Sequence, residues 1–289
     1  MLVTRFLGLC LVAALVMPAV ADDNATKTTV DKSASTAVKH DQKQQGDRVA
    51  ASQVIGASIY GSNQEDTIGS VNDIVMTKDG KVVYLIAGSG GVAGVGETEH
   101  AVPVKSFDMK WVKDGDEKTL KLSLPMTAED LSNAPALNLE HASDLTVEAF
   151  ADRNGKYFKA SNAEKMSPGN MYLVSEIDGL NATGTDNESV GAVEDIVFTH
   201  KDECKAEYMI IGTGGVVGIG EKYTAVPTDK VKITKTADNQ YTAVVQADKT
   251  IIGAAPKVTS DHYYSELGDE NVRENVKTAF NEADAKDSE

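Results

Sequence analysis

The sequence predicts an all-β protein of two tandem small β-barrels, with a flexible N-terminal leader and a short C-terminal helix or tail. Three observations point there. A glycine-rich decapeptide is written twice, GSGGVAGVGE from Gly88 and GTGGVVGIGE from Gly212. Each copy is flanked by short β-branched and aromatic segments closed by turn residues. Only 12 residues separate Gly88 from Ala101, too few for the crossover helix that a parallel sheet needs.

Residues 1–21 read as a signal peptide. Arg5 supplies a positive start, Phe6 to Met17 form an apolar core, and Ala19-Val20-Ala21 suits cleavage, leaving Asp22 as the first mature residue. The apolar run falls short of the roughly 20 residues of a membrane span. A periplasmic location follows, with no stable membrane insertion once the signal is removed. Cys10 lies inside the apolar core rather than after it, which argues against lipidation. Its removal leaves Cys204 alone, so the exported chain has no internal disulfide to rely on. Its core must hold it.

Residues 22–53 carry few apolar groups and read as a disordered leader. The first barrel is assigned to residues 54–132. Within it, Ser70 to Met76 is the first strand, Lys78-Asp79-Gly80-Lys81 a turn, and VVYLIA the returning strand, with Ile74 placed near Val83. AVPVKSFDMKW reads as a third strand with Pro103 at an edge or start. TLKLSLPM alternates and gives a fourth. Residues 133–171 read as a linker. The second barrel, residues 172–258, repeats the first, with matching aspartates at Asp73 and Asp195 and matching glutamates at Glu97 and Glu221. The acidic tail, 259–289, places Val272, Val276 and Phe280 four residues apart behind Asp269, a candidate N-cap. The alternative is a solvated tail.

The formal net charge of −16 disfavours nucleic acid and anionic membrane as partners, and no basic block offsets it. The glycine decapeptide satisfies a relaxed dinucleotide fingerprint, but no helix follows to hold a pyrophosphate. Five histidines show no ligand spacing. HKDEC, at 200–204, reads as a surface turn with a stray thiol rather than a metal site. No serine elbow and no HExxH occurs, so no catalytic residue, metal or cofactor is assigned. Asp73, Asp195, Glu97 and Glu221 admit two readings, as ligand or interface charges, or as groups that bond nearby backbone N–H.

The order IG-x-V-x-DIV, a hydrophobic strand, GG-x-x-G-[VI]-GE and then AVP resembles the PRC-barrel domain. That fold is shared by the H subunit of photosynthetic reaction centres and the C-terminal part of a ribosome-maturation factor. The resemblance covers about residues 54–126 and 172–247. It implies a strongly bent β-barrel and no catalytic residue set.

The glycines Gly88, Gly90, Gly91, Gly94 and Gly96, with Gly212, Gly214, Gly215, Gly218 and Gly220, are read as shaping the loop through φ > 0. They leave Val92 and Val95, and Val216, Val217 and Ile219, as the side chains of any size before Glu97 and Glu221. Those side chains either cover a barrel or meet a partner. The function expected is a non-enzymatic protein-binding or assembly module with an unidentified protein partner. The alternative is a small-molecule or metal-binding stress protein using a cleft between the barrels.

Overall fold

The computed structural model describes residues 47–286 apart from 92–95, 115–116, 139–143, 161–165, 168, 202, 215–220, 239 and 261. The signal segment, leader residues 22–46, and Val92, Gly94, Val95, Gly215, Val216, Val217, Gly218, Ile219 and Gly220 lie outside them. The end of the leader, expected to be disordered, is ordered from residue 48 because Val49, Ala50 and Ala51 are buried. Everything described belongs to the compact unit 41–289.

In chain order the first repeat contains β1 (Arg48–Ala50), α1 (Ala51–Val54), β2 (Ser58–Tyr60), β3 (Thr67–Thr77), β4 (Val82–Ser89), β5 (Thr98–Pro103), β6 (Asp108–Asp114), β7 (Glu117–Ser123), α2 (Ala128–Ser132), β8 (Ala136–Leu137) and α3 (Glu148–Tyr157). The second contains β9 (Met171–Leu173), β10 (Asn181–Thr183), β11 (Ser189–Thr199), β12 (Ala206–Thr213), β13 (Lys222–Pro227), β14 (Val231–Lys235), β15 (Tyr241–Val245), α4 (Lys249–Ala254), β16 (Lys257–Val258), α5 (Tyr263–Glu266) and α6 (Glu270–Lys286). Two eight-stranded sheets form, in the matching orders β6-β7-β2-β3-β4-β5-β8 and β14-β15-β10-β11-β12-β13-β16. In each, the eighth strand is borrowed. β9, from the second repeat, pairs with β3, and β1, from the first, pairs with β11.

The alternation of β3 and β4 sorts side chains onto two faces. Ile74, Met76, Leu85 and Ala87 point into a core that continues through Ile196, Phe198, Met209 and Ile211 of the second repeat. Val75, Ile86 and Ala101 point the other way, into a smaller cluster with Leu145, Phe150 and Leu173. The main core is therefore common to both repeats rather than divided between them. Ile74 faces Leu85, not Val83, because Met76 pairs with Val82 while Val75 pairs with Tyr84, leaving Val83 as a bulge residue.

The expected third strand is two strands. Pro103 has no N–H to extend the ladder, and the chain passes through a 3₁₀ turn at Val104–Ser106 before β6 starts. The 133–171 stretch also holds ordered structure. It contributes β8, paired with β5, and α3, whose Phe150 and Ala151 are buried against the outer face of the sheet. α6 does the equivalent for the second repeat. Val276 and Phe280 are buried, Val272 packs beside them, and the Asp269 carboxylate accepts from the Asn271 N–H as an N-cap. No helix among the described residues is long and apolar enough to cross a membrane.

Candidate functional site

The duplicated aspartates are the best-defined polar sites. A bulge at Asn72 interrupts the β3–β4 ladder between Val71 and Asp73, and the same bulge recurs at Glu194. A bulge re-aims the side chain beside it. Each aspartate turns towards the other repeat. Asp73 accepts from its neighbour's N–H (Ile74, 2.7 Å), from the Ser175 N–H (3.2 Å) and from the Ser175 hydroxyl. Asp195 accepts from the Ile196 N–H (2.7 Å), the Ser52 N–H (3.1 Å) and the Ser52 hydroxyl. The Tyr263 hydroxyl adds a further donor to Asp195. Burial raises the Asp73 carboxyl above its ordinary value, against the lowering effect of its Ser175 and Ile74 bonds. Of the two readings of these aspartates, the geometry matches bonding to nearby backbone N–H groups, and the partner lies across the repeat boundary.

The base of each glycine loop is equally well duplicated. A Cβ on Gly88 would lie 2.4 Å from Glu97 Oε2, and one on Gly212 would lie 2.6 Å from Glu221 Oε1. The first glycine of the decapeptide is thus a slot for the glutamate that ends it. In the first copy the Asn72 amide donates to Glu97 (3.2 Å) and to Glu99 (3.3 Å). In the second, Glu194 stands where Asn72 was, and the Tyr223 hydroxyl donates to Glu221 instead (2.9 Å). The donor has changed residue while the glutamate stays bonded. Burial raises the Glu99 and Glu194 carboxyls, and neighbouring carboxylates add to the rise.

Gly90, Gly91, Gly96 and Gly214 all have φ between +71° and +78°. Open space surrounds the Cβ position of Gly90, Gly96 and Gly214, so backbone conformation alone asks for glycine there. Gly88 and Gly212 lie inside β4 and β12 without positive φ, so at those two positions the slot for the glutamate, not a turn, asks for glycine. Gly90 and Gly91 are exposed, so the first loop leaves the sheet outward before residue 92.

Other sequence candidates separate. Cys204 is buried, with φ +48°, and its thiol donates to the His200 carbonyl (3.7 Å), so the thiol expected on a surface turn is turned inward. No cluster of His, Cys, Asp or Glu among the described residues has metal-holding geometry. One pair escaped sequence reasoning. Ser89 Oγ lies 2.8 Å from His100 Nε2, and His100 Nδ1 lies 3.3 Å from the Pro135 carbonyl. The carbonyl can only accept, so the proton sits on Nδ1 and Ser89 donates to Nε2. Both residues are buried, at 3% and 0% exposure, which keeps the hydroxyl from solvent. Burial lowers the His100 pKa, which favours the neutral ring. The only sequence signal was position: Ser89 and His100 bracket the glycine loop at the ends of a hairpin.

The PRC-barrel domain model matches residues 46–120 and again 169–249, together more than half of the chain. Both matches begin just before the exchanged strands β1 and β9, so the borrowed strand belongs to the domain as the family defines it. Comparison with curated proteins found no match. Two sheets of identical strand order, each matched by the same family model, place this chain in the PRC-barrel domain family, with the domain present twice.

Proposed function

We propose that this chain is an exported, non-catalytic protein-binding module of two PRC-barrel repeats. One observation carries the reading: the duplicated polar side chains hold the protein together rather than facing a ligand. Asp73 and Asp195 join the repeats, and Glu97 and Glu221 brace the loop bases. The duplicated feature that this leaves without such a role is the pair of glycine loops, whose bases at Gly90, Gly91 and Gly214 are exposed. Their exposed bases lead into Val92 and Val95, and into Val216, Val217 and Ile219, apolar side chains suited to a protein partner.

The test uses protein recovered from the periplasmic fraction, whose first residue is expected to be Asp22. The wild type and the double variant Val92→Asp/Val216→Asp are compared for captured protein and for melting temperature. A partner surface loses the captured protein while stability changes by no more than about 0.5 kcal/mol. A loop that covers its own barrel instead loses roughly 2–4 kcal/mol, because each change buries an unpaired charge. Survival of both capture and stability would remove the loops from the functional account.

A further inference from the structure

The hairpin turns of the two repeats meet back to back. Val82 N–H donates to the Cys204 carbonyl (2.8 Å) and Ala206 N–H to the Gly80 carbonyl (2.7 Å), so Lys81 and Lys205 face each other across an antiparallel bridge. Beside this bridge lies a cleft of ≈ 600 Å³ between the repeats. Lys78, Lys205 and Lys232 line it, with Asp79 and Asp229. Buried Val231 and Ile233 supply an apolar wall.

Three ammonium groups against two carboxylates leave one positive charge in excess, in a chain whose net charge is −16. None of these three lysines closes an ion pair with a described residue. The carboxyl of Asp79 is held below its ordinary value, first by its bond with the Thr77 side chain and then by the charges of Lys205 and Lys81.

The duplication supplies an internal control. β3 ends at Thr77 and β11 at Thr199, which makes His200 the counterpart of Lys78. Asp108 faces Ser123, and Lys232 faces Val244, at equivalent places in the two sheets, so Asp108 is the counterpart of Lys232. On that other side Lys110 pairs with Asp108 and Lys201 with Asp47, while Lys81 stands opposite Lys205 and Lys105 opposite Asp229. The repeats have diverged at these positions, an aspartate ion-paired to lysine standing on one side where Lys232 lines the cleft on the other.

We propose that the cleft lined by Lys78, Lys205 and Lys232 binds a small organic anion. An oxyanion head meets the lysines, and an apolar body lies against Val231 and Ile233. This goes beyond the loop-mediated reading and does not depend on it.

The experiment is an NMR titration of the full chain with inorganic phosphate, phenyl phosphate and benzoate. Saturable shifts are expected at residues 78, 205 and 228–234, with phenyl phosphate or benzoate binding tighter than inorganic phosphate. Lys232→Asp installs the charge carried at the counterpart position and should weaken binding at least ~10-fold. Lys110→Asp makes the same change in net charge on the other side and should leave the affinity within about two-fold, since exposed charges beyond a Debye length are screened. Absence of saturable shifts with all three probes would overturn the proposal. So would equal weakening by both variants, which would reduce the effect to overall charge. The loop variant Val92→Asp/Val216→Asp should bind these anions normally, so either proposal can fail alone.

Discussion

Asp73 and Asp195 show how much one side chain settles in this molecule. Asp73 gathers three bonds at one carboxylate and Asp195 four, two of them in each case from a serine in the opposite repeat. That the aspartates matter is legible in the duplication itself. Their partners are not, because Ser175 lies 102 residues from Asp73 and Ser52 lies 143 from Asp195. Ser52 and Ser175 also sit in segments whose likeness is faint beside that of the decapeptides. Bonds to a buried charged group contribute about 1.5–3 kcal/mol, so a double-mutant cycle of Asp73→Ala with Ser175→Ala should return at least about 1 kcal/mol of coupling. Additive losses in denaturant titrations would separate the two residues energetically. The raised Asp73 pKa also fixes a sign. Its ionisation is disfavoured in the fold, so the stability it confers is fully present below the unfolded pKa and is lost as pH rises through the raised value.

Among the elements, the three-residue strands β1 and β9 are the surprising ones. Neither shows in hydrophobic patterning, since three residues cannot display a period of two with any certainty. Ser70 to Met76, which alternates imperfectly, and VVYLIA, marked by its β-branched and aromatic residues, are found as strands, β3 running past both ends of the first stretch and β4 past the end of the second. α3 was hidden for another reason. Its stripe is only Phe150 and Ala151 with the small or polar Asn154 and Gly155, too weak to mark a helix, yet it closes the outer face of the first sheet. β1 carries Val49, fully buried beside Phe198 of the second repeat. Val49→Asp is expected to cost roughly 3–4 kcal/mol by burying an unpaired charge. Hydrogen exchange should locate the damage in Val197–Thr199, on the far repeat, more than in β3. Loss of protection confined to β3 would contradict the exchange of strands.

At the scale of the whole molecule, two repeats legible as tandem units in the sequence form one body. β1 and β9 cross in opposite directions, the two aspartates reach across, and Trp111 of the first repeat stacks on Tyr264 of α5, with ring centroids 5.5 Å apart. The main core runs through both sheets. A repeat alone, such as residues 51–132, lacks the strand that the other supplies, so this architecture does not provide for its folding by itself. Cutting the chain between the repeats tests this most directly. A protease site placed after Ala160 in the full-length protein would be cleaved under native conditions and the product sized by chromatography. Reciprocal exchange predicts a single particle of the intact size, which comes apart only in denaturant. Two separate fragments, each keeping a dispersed amide spectrum, would mean that the repeats are independent barrels after all.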